Sequence, residues 1–184
     1  TTSRTIRVAW FGVGDNPNFK VGLSDLAHFG SALSALAGDG WFPILRILTN
    51  ARAMTADNLA KLLRLPIPYS VNEWTEEEEQ SLLAESLAAF IPVNCQNFSV
   101  AKSLNRAVTA MNAGCQIVSN GYPLYDKLAP FIYRSAAEFK SDLEAGTLRF
   151  RSDSIPRYVE LMDNYASGVG ETQSLLRFLA NLDD

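Results

Sequence analysis

Histidine, cysteine and runs of basic residues are scarce in this chain, and each scarcity removes a class of chemistry. A single histidine and two cysteines stand among its 184 residues. His28 follows Asp25 by three positions on the polar side of a helix, with no nucleophile near it in sequence. It is expected as a surface histidine and not as a catalytic base. One histidine, two separated cysteines and no Asp-x-Asp leave no set with ligand spacing, so no metal is expected. Cys95 and Cys115 would fall at opposite ends of neighbouring strands, about 15–20 Å apart at about 3.3 Å per residue. Free thiols are expected, as in a reducing compartment. No lysine or arginine cluster tracks a phosphate backbone and the formal net charge is -4, which disfavours nucleic acid as a partner. No apolar run approaches the roughly 18–20 residues of a membrane span, and no basic region precedes an apolar one at the start. A soluble, cytoplasmic protein is expected. An initiator methionine is also lacking: the chain opens Thr1-Thr2-Ser3-Arg4, and is expected to be part of something longer.

What is present is an alternation of apolar runs and amphipathic stretches. The runs predict strands at Ile6 to Phe11, Pro43 to Thr49, Tyr69 to Trp74, Leu87 to Val93, Cys115 to Ser119 and Phe131 to Tyr133. Between them, helices are signalled from about Ser24, after Thr55, after Thr75 in a capping box with Glu78, and after Ser135 in another with Glu138 that Gly146 ends. Tyr122 to Leu128 suggests a short helix. Ser154-Ile155-Pro156 opens a further helix, and Gly168 with Gly170 breaks it before an amphipathic stretch, Glu171 to Leu182. Strands separated by single helices predict an α/β fold, a Rossmann-like three-layer αβα sandwich on a parallel sheet of about six strands. The whole chain, 1–184, is expected to be one such domain, with residues 154–184 as its C-terminal helices.

Ligands in such sheets bind beyond the carboxyl ends of the strands. That rule selects Gly12 to Asn18, Asn50 to Met54, Glu73 to Trp74, Asn94 to Ser99 and Asn120 to Tyr122. The most informative stretch follows the fourth of these loops, SVAKSLNRAVTAMNAGCQIVSNG from Ser99 to Gly121. Val100, Ala101, Leu104, Ala107, Val108 and Met111 predict the buried stripe of a helix that Ser99 caps and Gly114 stops. Lys102, Asn105, Arg106 and Thr109 form the opposite stripe. Cations in the first turns of a helix oppose its macrodipole, at up to about 1 kcal/mol each. Beside an anion they would instead reinforce the free backbone N–H groups of a phosphate site. The alternative is a solvated polar face.

Two familiar nucleotide folds are disfavoured. Gly12-Val13-Gly14 has no third glycine at dinucleotide spacing, and the second strand ends in Thr49-Asn50 where a ribose-binding carboxylate would stand. A phosphoacceptor receiver would carry acidic residues where the first strand ends in Trp10-Phe11-Gly12. Trp74, Phe98 and Tyr122 stand where an aromatic ring can stack on a base or serve simply as packing.

The opening VAWFG strand and turn, the IPV of the fourth strand, and KSLNRAVTAMNAGCQIVSN followed by Tyr122-Pro123 and Tyr125 resemble the C-terminal half of glycosyltransferases of the two-Rossmann-domain (GT-B) fold. The resemblance runs over nearly the whole chain. It implies a domain that binds a nucleotide-diphosphate sugar, with Gly12 and Gly14 facing the phosphates and Ser99, Lys102, Asn105, Arg106 and Thr109 as donor-binding residues. It implies no cofactor or metal, and a partner N-terminal domain that supplies the acceptor site. Where many retaining members carry a pair of glutamates on this helix, this sequence has Ala101 and Thr109. The competing expectation is a non-catalytic Rossmann-like module that binds a nucleotide or a protein. No residue is singled out as a catalytic base.

Overall fold

The computed structural model describes residues 4–166. These divide into two compact units, the first ending at Phe150 and the second beginning at Arg151. Six strands form one parallel sheet: β1 (Arg4–Phe11), β2 (Trp41–Thr49), β3 (Tyr69–Glu73), β4 (Ala88–Phe90), β5 (Gln116–Val118) and β6 (Ile132–Tyr133). Their spatial order is β3-β2-β1-β4-β5-β6. The order reverses direction between β1 and β4, so the crevice for a ligand lies beyond Phe11 and Phe90.

The helices of the first unit are α1 (Leu23–Phe29), α2 (Ala56–Leu62), α3 (Glu76–Glu85), α4 (Asn97–Val100), α5 (Asn105–Asn112) and α6 (Ala136–Ala145). In the second unit α7 spans Ile155–Ala166, with Pro156 in its first turn where a missing N–H costs nothing. Thr75 and Ser135 cap as their sequences predict, each hydroxyl accepting from the N–H three residues on, Glu78 and Glu138. Gly146 closes α6 with φ 71°, the left-handed stop. The expected break at Gly168–Gly170 and the helix 171–182 lie outside the described residues.

Side chains from both faces of the sheet are buried. Ile6, Val8 and Trp10 of β1, Leu45 and Ile47 of β2, Phe90, Val118 and Tyr133 join Leu23, Leu26, Leu33, Leu36, Leu62 and Phe139 in one core cluster. On the other side α3 packs against β1 and β2, and α5 against β5. Leu82, Leu83, Ala107, Ala110 and Met111 are their buried residues. The result is the Rossmann-like three-layer sandwich. Among the described residues no helix is long and apolar enough to cross a membrane.

The first predicted helix turns out to be two pieces, since Gly30–Leu36 is a 3-10 helix. Close packing keeps its first residue a glycine: a Cβ on Gly30 would lie 2.3 Å from Leu65 Cδ2. The short helix expected over Tyr122 to Leu128 is likewise 3-10, and runs from Asp126 to Phe131.

Candidate functional site

The single helix expected from Ser99 is broken into α4 and α5, with Ala101–Leu104 between them. The cause is a polar network that local periodicity does not reveal. Ser99 is buried, and its hydroxyl donates to Asn94 Oδ1 at 2.7 Å instead of capping the following turn. The same oxygen accepts from the Gln96 N–H at 3.0 Å, so helical turns begin earlier, at Asn97. Asn94 Nδ2 reaches the Lys20 carbonyl and Asp25 Oδ1, and Asp25 Oδ2 accepts from the Gly22 N–H at 3.2 Å. Loop 15–22 and loop 94–99 are thereby tied together. Val100, expected in the buried stripe, is 42% exposed.

The break separates the two cations. Lys102 stands in the linker, half-buried, with Nζ 5.2 Å from the centre of the Phe98 ring. Burial pushes its amine below the ordinary value, against the opposing charge of Asp25. Asp25 is in turn pushed up by burial, opposed by Lys102, by the Asn94 and Gly22 hydrogen bonds and by Arg106.

Arg106 is in the first turn of α5, beside N–H groups that the helix itself does not satisfy. Its Nε and Nη2 are shielded from solvent and have no hydrogen-bond partner. The guanidinium lies over Trp10 and Phe11, with Cζ 5.1 and 5.5 Å from the ring centres. It also lies against Gly12, where a Cβ would come within 3.3 Å of Cζ and of Nε. Gly12 has φ +139°, so both its backbone conformation and its bareness make room for the cation. Burial pushes the guanidinium below its ordinary value, opposed by Tyr125, Asp25 and Glu79.

Two cavities meet at Arg106. The larger, about 380 Å³, is lined by Phe11, Gly12, Val13, Asn50, Trp74 and Glu79 and by the α5 residues Asn105, Arg106 and Thr109. The smaller, about 290 Å³, shares Val13 and Arg106 and adds Asp15, Asn16, Val21, Phe98 and Lys102. Of the residues singled out in the sequence, Gly12, Lys102, Asn105, Arg106 and Thr109 therefore line one cavity or the other. Ser99 and Gly14 line neither.

Gly14 has a structural task. A Cβ there would meet Thr49 Oγ1 at 2.2 Å and Ala53 Cβ at 2.7 Å. Its N–H donates to Asn50 Oδ1 at 2.9 Å and its carbonyl accepts from the Leu23 N–H at 2.9 Å, so neither group is presented to a ligand. Asn50 Nδ2 donates to Asp15 Oδ1 at 3.1 Å, and Arg52 Nε donates to Asp15 Oδ2 at 3.0 Å. The Asn50 and Arg52 contacts hold the Asp15 carboxyl below its usual range. Thr49 Oγ1 donates to the Gly12 carbonyl at 3.1 Å. The end of β2 thus shapes the turn after β1.

Among the aromatic candidates, Trp74 is 46% exposed at the larger cavity and Phe98 stacks on Phe19, centroids 4.9 Å apart. Tyr122 is half-buried and lines neither cavity. His28 is exposed and lines a separate groove with Ser24, Lys61 and Arg64. Asn50 and Glu79 are the site residues that the sequence reading passed over. Asn50 stood in a loop already selected by the strand-end rule, whereas Glu79 was absorbed into the acidic first turn of α3. Among the described residues no group of three or more histidines, cysteines and carboxylates is gathered as for a metal.

The sequence matches no protein-family model and no curated protein. Among solved structures, the ribokinase of Giardia lamblia aligns over 91% of this chain at 13% identity, with a TM-score of 0.28. The alignment takes in 66% of the ribokinase, just under two thirds of its length. A superposition this loose says nothing of shared chemistry.

Proposed function

We propose that this chain is the donor-binding half of a two-domain glycosyltransferase and holds a nucleotide-diphosphate sugar at the carboxyl edge of its sheet. The observation that carries the reading is Arg106: a cation whose Nε and Nη2 are shielded from water and unpartnered, at the junction of two cavities. Shielded guanidinium N–H groups without hydrogen-bond partners are costly, and an anionic ligand relieves that cost. In this reading Arg106, the first-turn N–H groups of α5 and Lys102 meet the diphosphate, and they stabilise the charge that develops as it departs. Asn105 and Thr109 edge the larger cavity from the same helix. The acceptor and the group that activates it come from another domain.

A second reading, a nucleotide-binding module without catalysis, is favoured by the state of the carboxylates. Asp15 is engaged by Asn50 and Arg52, Asp25 by Asn94 and Gly22, and Glu79 by Trp74. Asp15 and Asp25 are thereby occupied, and Glu79 is anchored by one oxygen to an indole N–H, with no second group beside it to relay a proton from an acceptor hydroxyl.

Calorimetric titration with UDP, GDP, ADP and dTDP tests the shared premise. Binding of one or more diphosphates, weakened about tenfold or more in Arg106→Met, supports a phosphate site. Equal binding by the variant would overturn it. Slow release of sugar from the matching nucleotide sugar would favour the enzyme over the module.

A further inference from the structure

The larger cavity has opposite charges on its wall that do not meet. Arg106 contributes the shielded cation and Glu79, from the first turn of α3, the carboxylate. Among the described residues no hydrogen bond or ion pair joins them. Glu79 is held in place, because the Trp74 indole N–H donates to its Oε2. Its Oε1 has no partner among the described residues. Asn50, a further polar side chain of the lining, has its amide engaged by Gly14 and Asp15 and little left for a ligand. The cavity therefore fits a molecule that carries an anionic group for Arg106 and hydrogen-bond donors for Glu79.

Resting on the nucleotide reading above, we propose that the base of this nucleotide is guanine and that Glu79 reads it. An ionised carboxylate accepts hydrogen bonds and donates none. Among the common bases guanine alone presents two adjacent donors, N1–H and the N2 amine, on its pairing edge. Uracil and thymine present one N–H between two carbonyl oxygens, both repelled by a carboxylate. Adenine and cytosine set an amine beside a ring-nitrogen acceptor, which Glu79 cannot satisfy. Reading a base by its pairing edge while it rests on an aromatic face is a recurrent arrangement. Trp74, nearly half exposed beside Glu79, supplies such a face. A ribose diol is the other adjacent donor pair in a nucleotide, and the experiment separates the two.

The test is calorimetric titration of the full chain with GDP, IDP, UDP, ADP and 2′-deoxy-GDP, repeated with Glu79→Gln and Trp74→Phe. GDP is expected to bind about tenfold or more tightly than UDP and ADP. IDP, which lacks the N2 amine, loses most of that advantage, and 2′-deoxy-GDP keeps it. Glu79→Gln brings GDP and UDP within about threefold of each other, and Trp74→Phe, which keeps a ring but frees the carboxylate, narrows the ratio as well. Equal binding of GDP and IDP, or an undiminished preference in Glu79→Gln, would overturn guanine recognition while leaving the phosphate site standing. Weak binding of 2′-deoxy-GDP would assign Glu79 to the sugar and overturn it too. If no nucleotide binds, the nucleotide reading fails and takes this inference with it.

Discussion

The guanidinium carbon of Arg106 stands 5.1 Å from the centre of the Trp10 ring, and the Trp10 indole N–H is itself buried without a partner. A strand residue and a helix residue thus meet at the carboxyl edge of the sheet with donors to spare on both. Stacking on the ring returns about 0.5–2 kcal/mol. Stripping water from an ion costs several kcal/mol, so the arrangement is a net expense in the free protein. Site and fold are in tension at this point, as expected where binding is the purpose.

The turn after β1 should fail by packing and not by chemistry. Gly14→Ala would drive a methyl into Thr49 Oγ1 and Ala53 Cβ, both short groups with no freedom to swing away. Urea unfolding is expected to register a loss of about 1–3 kcal/mol. Asn50→Ala strands the Gly14 N–H and should cost a similar amount, about 1–3 kcal/mol.

The two thiols should separate cleanly in reactivity. Cys95 is exposed, whereas Cys115 is buried and its thiol is pushed up to about 11. At about pH 8 an aromatic disulfide reagent should label one thiol per native chain, and two after denaturation. Rapid labelling of both in the native protein would contradict the burial of Cys115, whose thiol donates to the Leu83 and Ser86 carbonyls.

Asp25 gives a signed pH dependence. Burial raises its pKa above the ordinary 3.8, so the folded protein holds the proton more tightly than the unfolded chain does. The resulting stabilisation is complete below 3.8 and is lost as pH rises through the folded value. Melting temperatures of wild type and Asp25→Asn compared across that window should therefore shift in favour of the variant as pH rises. A difference independent of pH would mean that Asp25 titrates as an ordinary exposed carboxyl.

The helix caps read from the sequence should each carry measurable weight. Thr75→Ala and Ser135→Ala remove acceptors for the Glu78 and Glu138 N–H groups, and each should cost about 1 kcal/mol in denaturant unfolding.

What was legible in the sequence was whatever depends on neighbours in the chain. The β-branched and apolar runs announced all six strands within a few residues of their ends. Thr55, Thr75, Ser135 and Gly146 marked helix ends correctly, because a cap bonds only a few positions along. The break between α4 and α5 was not legible, because it follows from Ser99 and Asn94 answering to Lys20 and Asp25 far back in the chain. Arg106 was placed on a polar stripe by its spacing and picked out by its charge. The shielding of its Nε and Nη2 goes with Gly12, whose missing side chain opens the space against the β1 aromatics. Glu79 was hidden among four consecutive glutamates, of which only it lines the cavity.

The most direct test is the melting temperature of wild type and Arg106→Met, each alone and with saturating nucleoside diphosphate. The variant alone is expected to melt no lower than wild type, since an apolar chain replaces a guanidinium whose Nε and Nη2 are shielded and unpartnered. Ligand at 100 times the wild-type dissociation constant should raise wild type by several degrees, from about 2.7 kcal/mol, and raise the variant by about half as much or less. A variant that melts well below wild type, with no diphosphate shifting either protein, would make Arg106 a packing element and contradict the phosphate site.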